Sequence, residues 1–84
     1  MLKEEARFFK ADVQKLQECI DSTGKSKAAI VKEAEFGIDL LAKALKGWRI
    51  RRSKANAICI RLNACKCTPK AEMANLFSPV IETN

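Results

Sequence analysis

Leu2-Lys3-Glu4-Glu5-Ala6-Arg7-Phe8-Phe9-Lys10-Ala11-Asp12-Val13-Gln14-Lys15-Leu16-Gln17-Glu18-Cys19-Ile20 is the stretch on which the fold turns. Leu2, Ala6, Phe9, Val13, Leu16 and Ile20 recur at alternating spacings of four and three residues, which places all six on one face of a helix. Lys3, Glu4, Glu5, Arg7, Lys10, Gln14 and Lys15 lie between them and are good helix formers. The pattern predicts a helix from Leu2 that stops near Asp21-Ser22-Thr23-Gly24, where glycine adopts the left-handed conformation at low cost.

Beyond Gly24, Ser26 is a suitable cap for a second helix over residues 27–46. Its polar residues Lys32, Glu35, Asp39, Lys43 and Lys46 form one stripe, and Ile30, Val31, Ala34, Phe36, Ile38, Leu40, Leu41 and Leu45 fill most of the rest. A helix that apolar needs covering on several sides, by later helices, a second copy or a target. Residues 55–65 read either as a third helix capped by Ser53 or as a strand, because Ile58, Ile60, Leu62 and Ala64 also alternate; the surrounding Ala, Leu, Arg and Lys favour helix. Thr68-Pro69 is a start signal for a short fourth helix to about Phe77. The fold expected is therefore all-α, a single domain over residues 1–84: a compact bundle of three to four helices on an antiparallel hairpin of residues 2–22 and 27–46.

Gly24-Lys25-Ser26-Lys27-Ala28-Ala29-Ile30-Val31-Lys32-Glu33-Ala34, preceded by apolar Val13, Leu16 and Ile20, resembles the turn and second helix of ribbon-helix-helix DNA-binding proteins. The resemblance covers residues 10–45. It implies an alternative fold, a dimer whose short N-terminal strand, on residues 3–9, would enter the DNA major groove as a paired ribbon. In that arrangement Glu5 and Arg7 would face DNA.

Charge is segregated. Between Asp39 and Glu72 there is no acid, while Lys43, Lys46, Arg49, Arg51, Arg52, Lys54, Arg61, Lys66 and Lys70 are all basic; the chain's net charge of +6 comes from this stretch. Such a patch suits a polyanionic partner. The expectation is a non-enzymatic nucleic-acid-binding or regulatory protein that grips phosphates with Arg49, Arg51, Arg52 and Lys54, supported by Lys43, Lys46 and Arg61. Guanidinium forks match phosphate oxygens, and Trp48 is available to stack on a base or to pack on a partner. The competing expectation is a small inhibitor or adaptor that docks on an acidic protein surface, such as that of a nucleic-acid enzyme. An amphipathic segment over residues 40–52 would also suit an anionic membrane surface, but its apolar positions are needed for the core.

Other chemistries find little support. There is no histidine or tyrosine, and the carboxylates alternate with lysines as on a solvated helix face, so catalysis is not expected. Gly24-Lys25-Ser26 resembles the end of a phosphate-binding loop, but Cys19 stands where that loop needs glycine. The four cysteines, Cys19, Cys59, Cys65 and Cys67, would all be required for a tetrahedral metal site, and their spacing lacks paired knuckles. They are expected to be free, partly buried thiols, with no metal or cofactor. The acid-rich start, with neither a basic nor an apolar leader region, points to the cytoplasm.

Overall fold

The computed structural model describes residues 7–32, 34–68 and 70–80. In chain order the elements are β1 (Phe8–Ala11), α1 (Val13–Ser22), α2 (Lys27–Val31), α3 (Ile38–Leu45), β2 (Ile50–Arg51), α4 (Arg52–Ala64), α5 (Met73–Leu76) and β3 (Phe77–Val80). The strands form an antiparallel sheet in the order β2-β1-β3, with Phe9 opposite Ile50 on one side and opposite Pro79 on the other. The protein is thus a mixture of helices and a small sheet, and the all-α bundle built on a helical hairpin is overturned.

The first correction lies in the opening stretch. Leu2 to Ala6 fall outside the described residues, and Phe8–Ala11 is strand. Asp12 divides strand from helix: its Oδ1 accepts from the Lys15 N–H at 3.2 Å, capping α1, while its own N–H donates to the Leu76 carbonyl at 2.8 Å. Aromatic Phe8 and Phe9 suit a pleated, half-buried strand. The alternating spacing of four and three ran through this boundary by coincidence, and Val13, placed on its apolar face, is 40% exposed. Leu16, Cys19 and Ile20 make the buried face of α1. The ribbon strand implied for residues 3–9 lies mostly outside the described residues; β1 itself is the middle strand of a sheet made within one chain.

The turn at Gly24, with φ of +71°, and the Ser26 cap, whose Oγ accepts from the Ala29 N–H at 3.1 Å, form as expected. The long second helix does not. It divides into α2 and α3 around a connection over residues 32–37, and Gly37 adopts an extended conformation as the N-cap of α3. A straight helix over residues 27–46 would hold Ile30 and Leu41 more than about 15 Å apart along its axis, whereas the break lets both reach the one core. Glycine is the least costly place to break it. Folding back packs α2 on α3, so that both Ile30 and Leu41 are fully buried while Phe36 covers the core from the connection.

The largest fully buried side chains, Leu16, Ile30, Leu41, Ile58 and Leu62, come from α1, α2, α3 and, for the last two, α4. The sheet lays Ile50 and Phe77 on the same core. Residues 55–65 are helical up to Ala64, but the helix begins at Arg52 with Arg51 as N-cap rather than at a Ser53 cap. The fourth helix shrinks to Met73–Leu76, behind a Glu72 cap.

α4 ends in a Schellman turn: the Cys67 N–H donates to the Leu62 carbonyl and the Lys66 N–H to the Asn63 carbonyl, at 3.2 and 2.9 Å. Lys66 takes the left-handed conformation usually given to glycine, with φ of +62°. The next loop is held by Asn63, whose Nδ2 donates to the Ala71 carbonyl at 2.9 Å while its Oδ1 accepts from the Ala71 N–H at 2.7 Å. One side chain thereby satisfies both polar groups of a buried backbone unit.

Candidate nucleic-acid interface

α3 buries Leu41 and Ala44 and leaves Asp39, Lys43 and Ile38 outward, the last 45% exposed. The helix finishes in the same Schellman turn as α4, this time with glycine in place: the Trp48 N–H donates to the Lys43 carbonyl and the Gly47 N–H to the Ala44 carbonyl, both at 3.1 Å, with Gly47 at φ +80°. This turn throws the chain outward at Trp48, which is 53% exposed. The Lys46 ammonium lies over the indole, 5.1 Å from its centre.

The strand period then sorts the following residues. Ile50 is buried opposite Phe9, so Arg49 and Arg51 on either side of it face outward. The Arg49 guanidinium rests on the Phe8 ring, 4.9 Å from its centre. Arg51 ends β2 and caps α4, whose first turn presents Arg52 and Lys54, both exposed. Lys43, Lys46, Arg49, Arg51, Arg52 and Lys54 thus follow one another along α3, its closing turn, β2 and the first turn of α4; Lys46 and Arg49 lie beside Trp48, while Arg52 lines a separate recess with Phe9, Met73, Phe77 and Pro79. The positive N-terminal end of the α4 dipole lies at Arg51 and Arg52.

The remaining basic residues do something else. Arg61 donates from Nε to the Ile30 carbonyl and ties α4 to α2. Lys66 and Lys70 follow the far end of α4, about 20 Å from Arg52 along a helix of this length. The acid-free run is continuous in sequence but divides in space.

Two cations that sequence reasoning left aside join the cluster through the sheet. Lys10, on the strand between β2 and β3, lines a shallow recess of about 560 Å³ with Gly47, Trp48, Arg49 and Val80. Exposed Arg7 accepts through its carbonyl from the Arg52 N–H at 3.0 Å, so its side chain starts beside the first turn of α4. Their charge was balanced locally by Glu4, Glu5 and Asp12 in the sequence, and only strand pairing carries them to residues 47–52.

Comparison with protein-family models, curated proteins and solved structures finds no match. The site is therefore read from its own chemistry.

The cysteines form a separate, internal group. All four are buried free thiols, and Cys19, Cys59 and Cys67 lie close enough to influence one another. Burial, then a hydrogen bond with Cys67 and the neighbouring thiols, pushes the Cys19 thiol up to about 12; burial and Cys67 push Cys59 up to about 11. Thiols held protonated this way pack as small hydrophobes and are poor nucleophiles. Among the described residues no helix is long and apolar enough to cross a membrane.

Proposed function

We propose that the protein binds duplex nucleic acid, without catalysing a reaction, through α3 and the basic turn that follows it. The observation that carries this reading is the run of exposed cations along α3, β2 and the first turn of α4, with Lys46, Arg49 and Lys10 gathered beside an exposed tryptophan. In this reading α3 lies in the major groove, as recognition helices do, and the residues that flank it grip the backbone. α3 suits that place, being short, packed from behind by Leu41 and Ala44, and outwardly bearing Asp39 and Lys43. A carboxylate at its leading end is repelled by phosphate but accepts from the amino group of cytosine. Arg51, Arg52 and Lys54 then serve the phosphates, and Trp48 packs against the sugar-phosphate edge. Arg61 belongs to the scaffold. The same reading places the protein in the cytoplasm, where buried cysteines persist as thiols.

The test is fluorescence anisotropy with a random-sequence duplex over a salt series. With four to five phosphates neutralised, log affinity is expected to fall against log salt with a slope of about −4. Changing Lys43, Arg51 and Lys54 together to Glu should abolish binding and leave the helical circular-dichroism signal unchanged, since all three are exposed. Absence of duplex binding at low salt, with tight and charge-sensitive binding to an acidic protein, would replace this reading with the inhibitor or adaptor one.

A further inference from the structure

We infer that α4 pairs with α4 of a second copy of this chain, antiparallel across a two-fold axis close to Ile60. The helix is apolar on two opposite sides. One side, Ala55, Ile58, Cys59 and Leu62, is the core. The other carries Ala57, Ile60 and Ala64, which share a helical face and include no charge. Ile60 is 62% exposed, the most exposed large apolar side chain among the described residues. Beside it, Ala34 and Phe36 of the α2–α3 connection complete a groove of about 260 Å³, rimmed by Glu35 and Arg61. A helix face meant for water would be expected to carry charges where these alanines and this isoleucine stand.

Charge and shape both select a second copy as the occupant. A chain of net charge +6 repels itself over most of its surface. This groove is locally neutral, with one carboxylate and one guanidinium on its rim. A two-fold axis through it lays Glu35 of each copy towards Arg61 of the other, whereas a uniformly acidic or basic partner meets one repulsive charge. Shape follows the same symmetry. Ala57 and Ala64 are nearly equidistant in sequence from Ile60, so the antiparallel arrangement sets Ala57 against Ala64 of its mate and seats each Ile60 between small residues. Small side chains at the crossing let two helices approach to about 8 Å. A self-complementary patch of this kind is what an isologous dimer requires. The inference does not rest on the nucleic-acid reading, because none of the six cations of that reading lines this groove.

Sedimentation velocity over a concentration series, on the full chain, tests it. The parent protein is expected to reach the mass of a dimer. Ile60→Asp, which alters a residue exposed in the single chain, should give a monomer with unchanged circular dichroism, and the milder Ile60→Ser should weaken the dimer at least tenfold. Glu35→Arg should weaken it more at low salt than at high salt, because two guanidinium groups then face each other. A parent that stays monomeric at every concentration would overturn the inference, as would a dimer indifferent to Ile60→Asp and Ile60→Ser. Loss of duplex binding by a protein that still dimerises would count against the proposed function alone.

Discussion

Asn63→Ala removes one side chain and leaves two buried backbone groups without partners. The Ala71 N–H and carbonyl are both satisfied by the Asn63 amide, at 2.7 and 2.9 Å, and Ala71 is 3% exposed. Each orphaned buried group costs about 1–3 kcal/mol. Asn63 is itself only partly buried, so water reaches the gap in part, and the loss should fall near the lower half of the sum, about 2–4 kcal/mol. A domain of this length has a total stability of roughly 4–13 kcal/mol, so the variant forfeits a large share of it. At about 4–8 °C per kcal/mol for small domains, the melting temperature should drop by roughly 8–32 °C. Thermal circular dichroism of parent and variant at equal concentration measures this. Asn63→Gln carries the same amide one methylene further out and should lose nearly as much, because alignment with Ala71 matters as well as chemistry. A melting temperature within about 2 °C of the parent for Asn63→Ala would show that the loop is not held by this amide.

Lys66→Gly should raise stability, by up to about 1 kcal/mol, because it relieves a left-handed lysine at the close of α4 while giving back some chain entropy; a urea titration showing destabilisation would mean that the lysine side chain contributes more than its backbone costs. The raised thiols of Cys19 and Cys59 make stability depend on alkaline pH. Both pKa values are higher in the fold than the ordinary 9.0, so their contribution is complete below pH 9 and is lost as pH climbs towards about 11 and 12. Urea melts across that window should show falling stability, with a shallower fall in Cys19→Ala; an unchanged slope in that variant would contradict the assignment.

Local signals were easiest to read where one residue type has one purpose. Gly24 and Ser26 gave the turn and the cap of α2, and the surrounding Ala, Leu and Arg gave the helical state of residues 55–64. The sheet was hidden because β1 has four residues and β2 two, too short for a period of two to emerge. Asp12 looked like one more polar position on a long helix, since its capping role depends on the chain entering from a strand. Gly37 likewise carried no pattern of its own, and the break between α2 and α3 shows only in the shared burial of Ile30 and Leu41. In the candidate site, the basic residues could be counted from sequence, but their division could not: Arg61 is held away from the others by its bond to the Ile30 carbonyl, thirty-one residues earlier. Lys10 and Arg7 joined the cluster only through strand pairing.

The placement of β1 between β2 and β3 bears on how this protein is made. Its neighbours are residues 50–51 and 77–80, so a ribosome presents Phe8 and Phe9 long before either partner has been synthesised. The second partner comes only after all five helices. Until residues 50–51 follow the strand has two open edges, and until residues 77–80 it keeps one, the condition under which nascent chains recruit chaperones or stick to one another. Sheet closure is therefore a late step in biogenesis, and slow translation through residues 52–76 would lengthen the exposure without altering the finished fold.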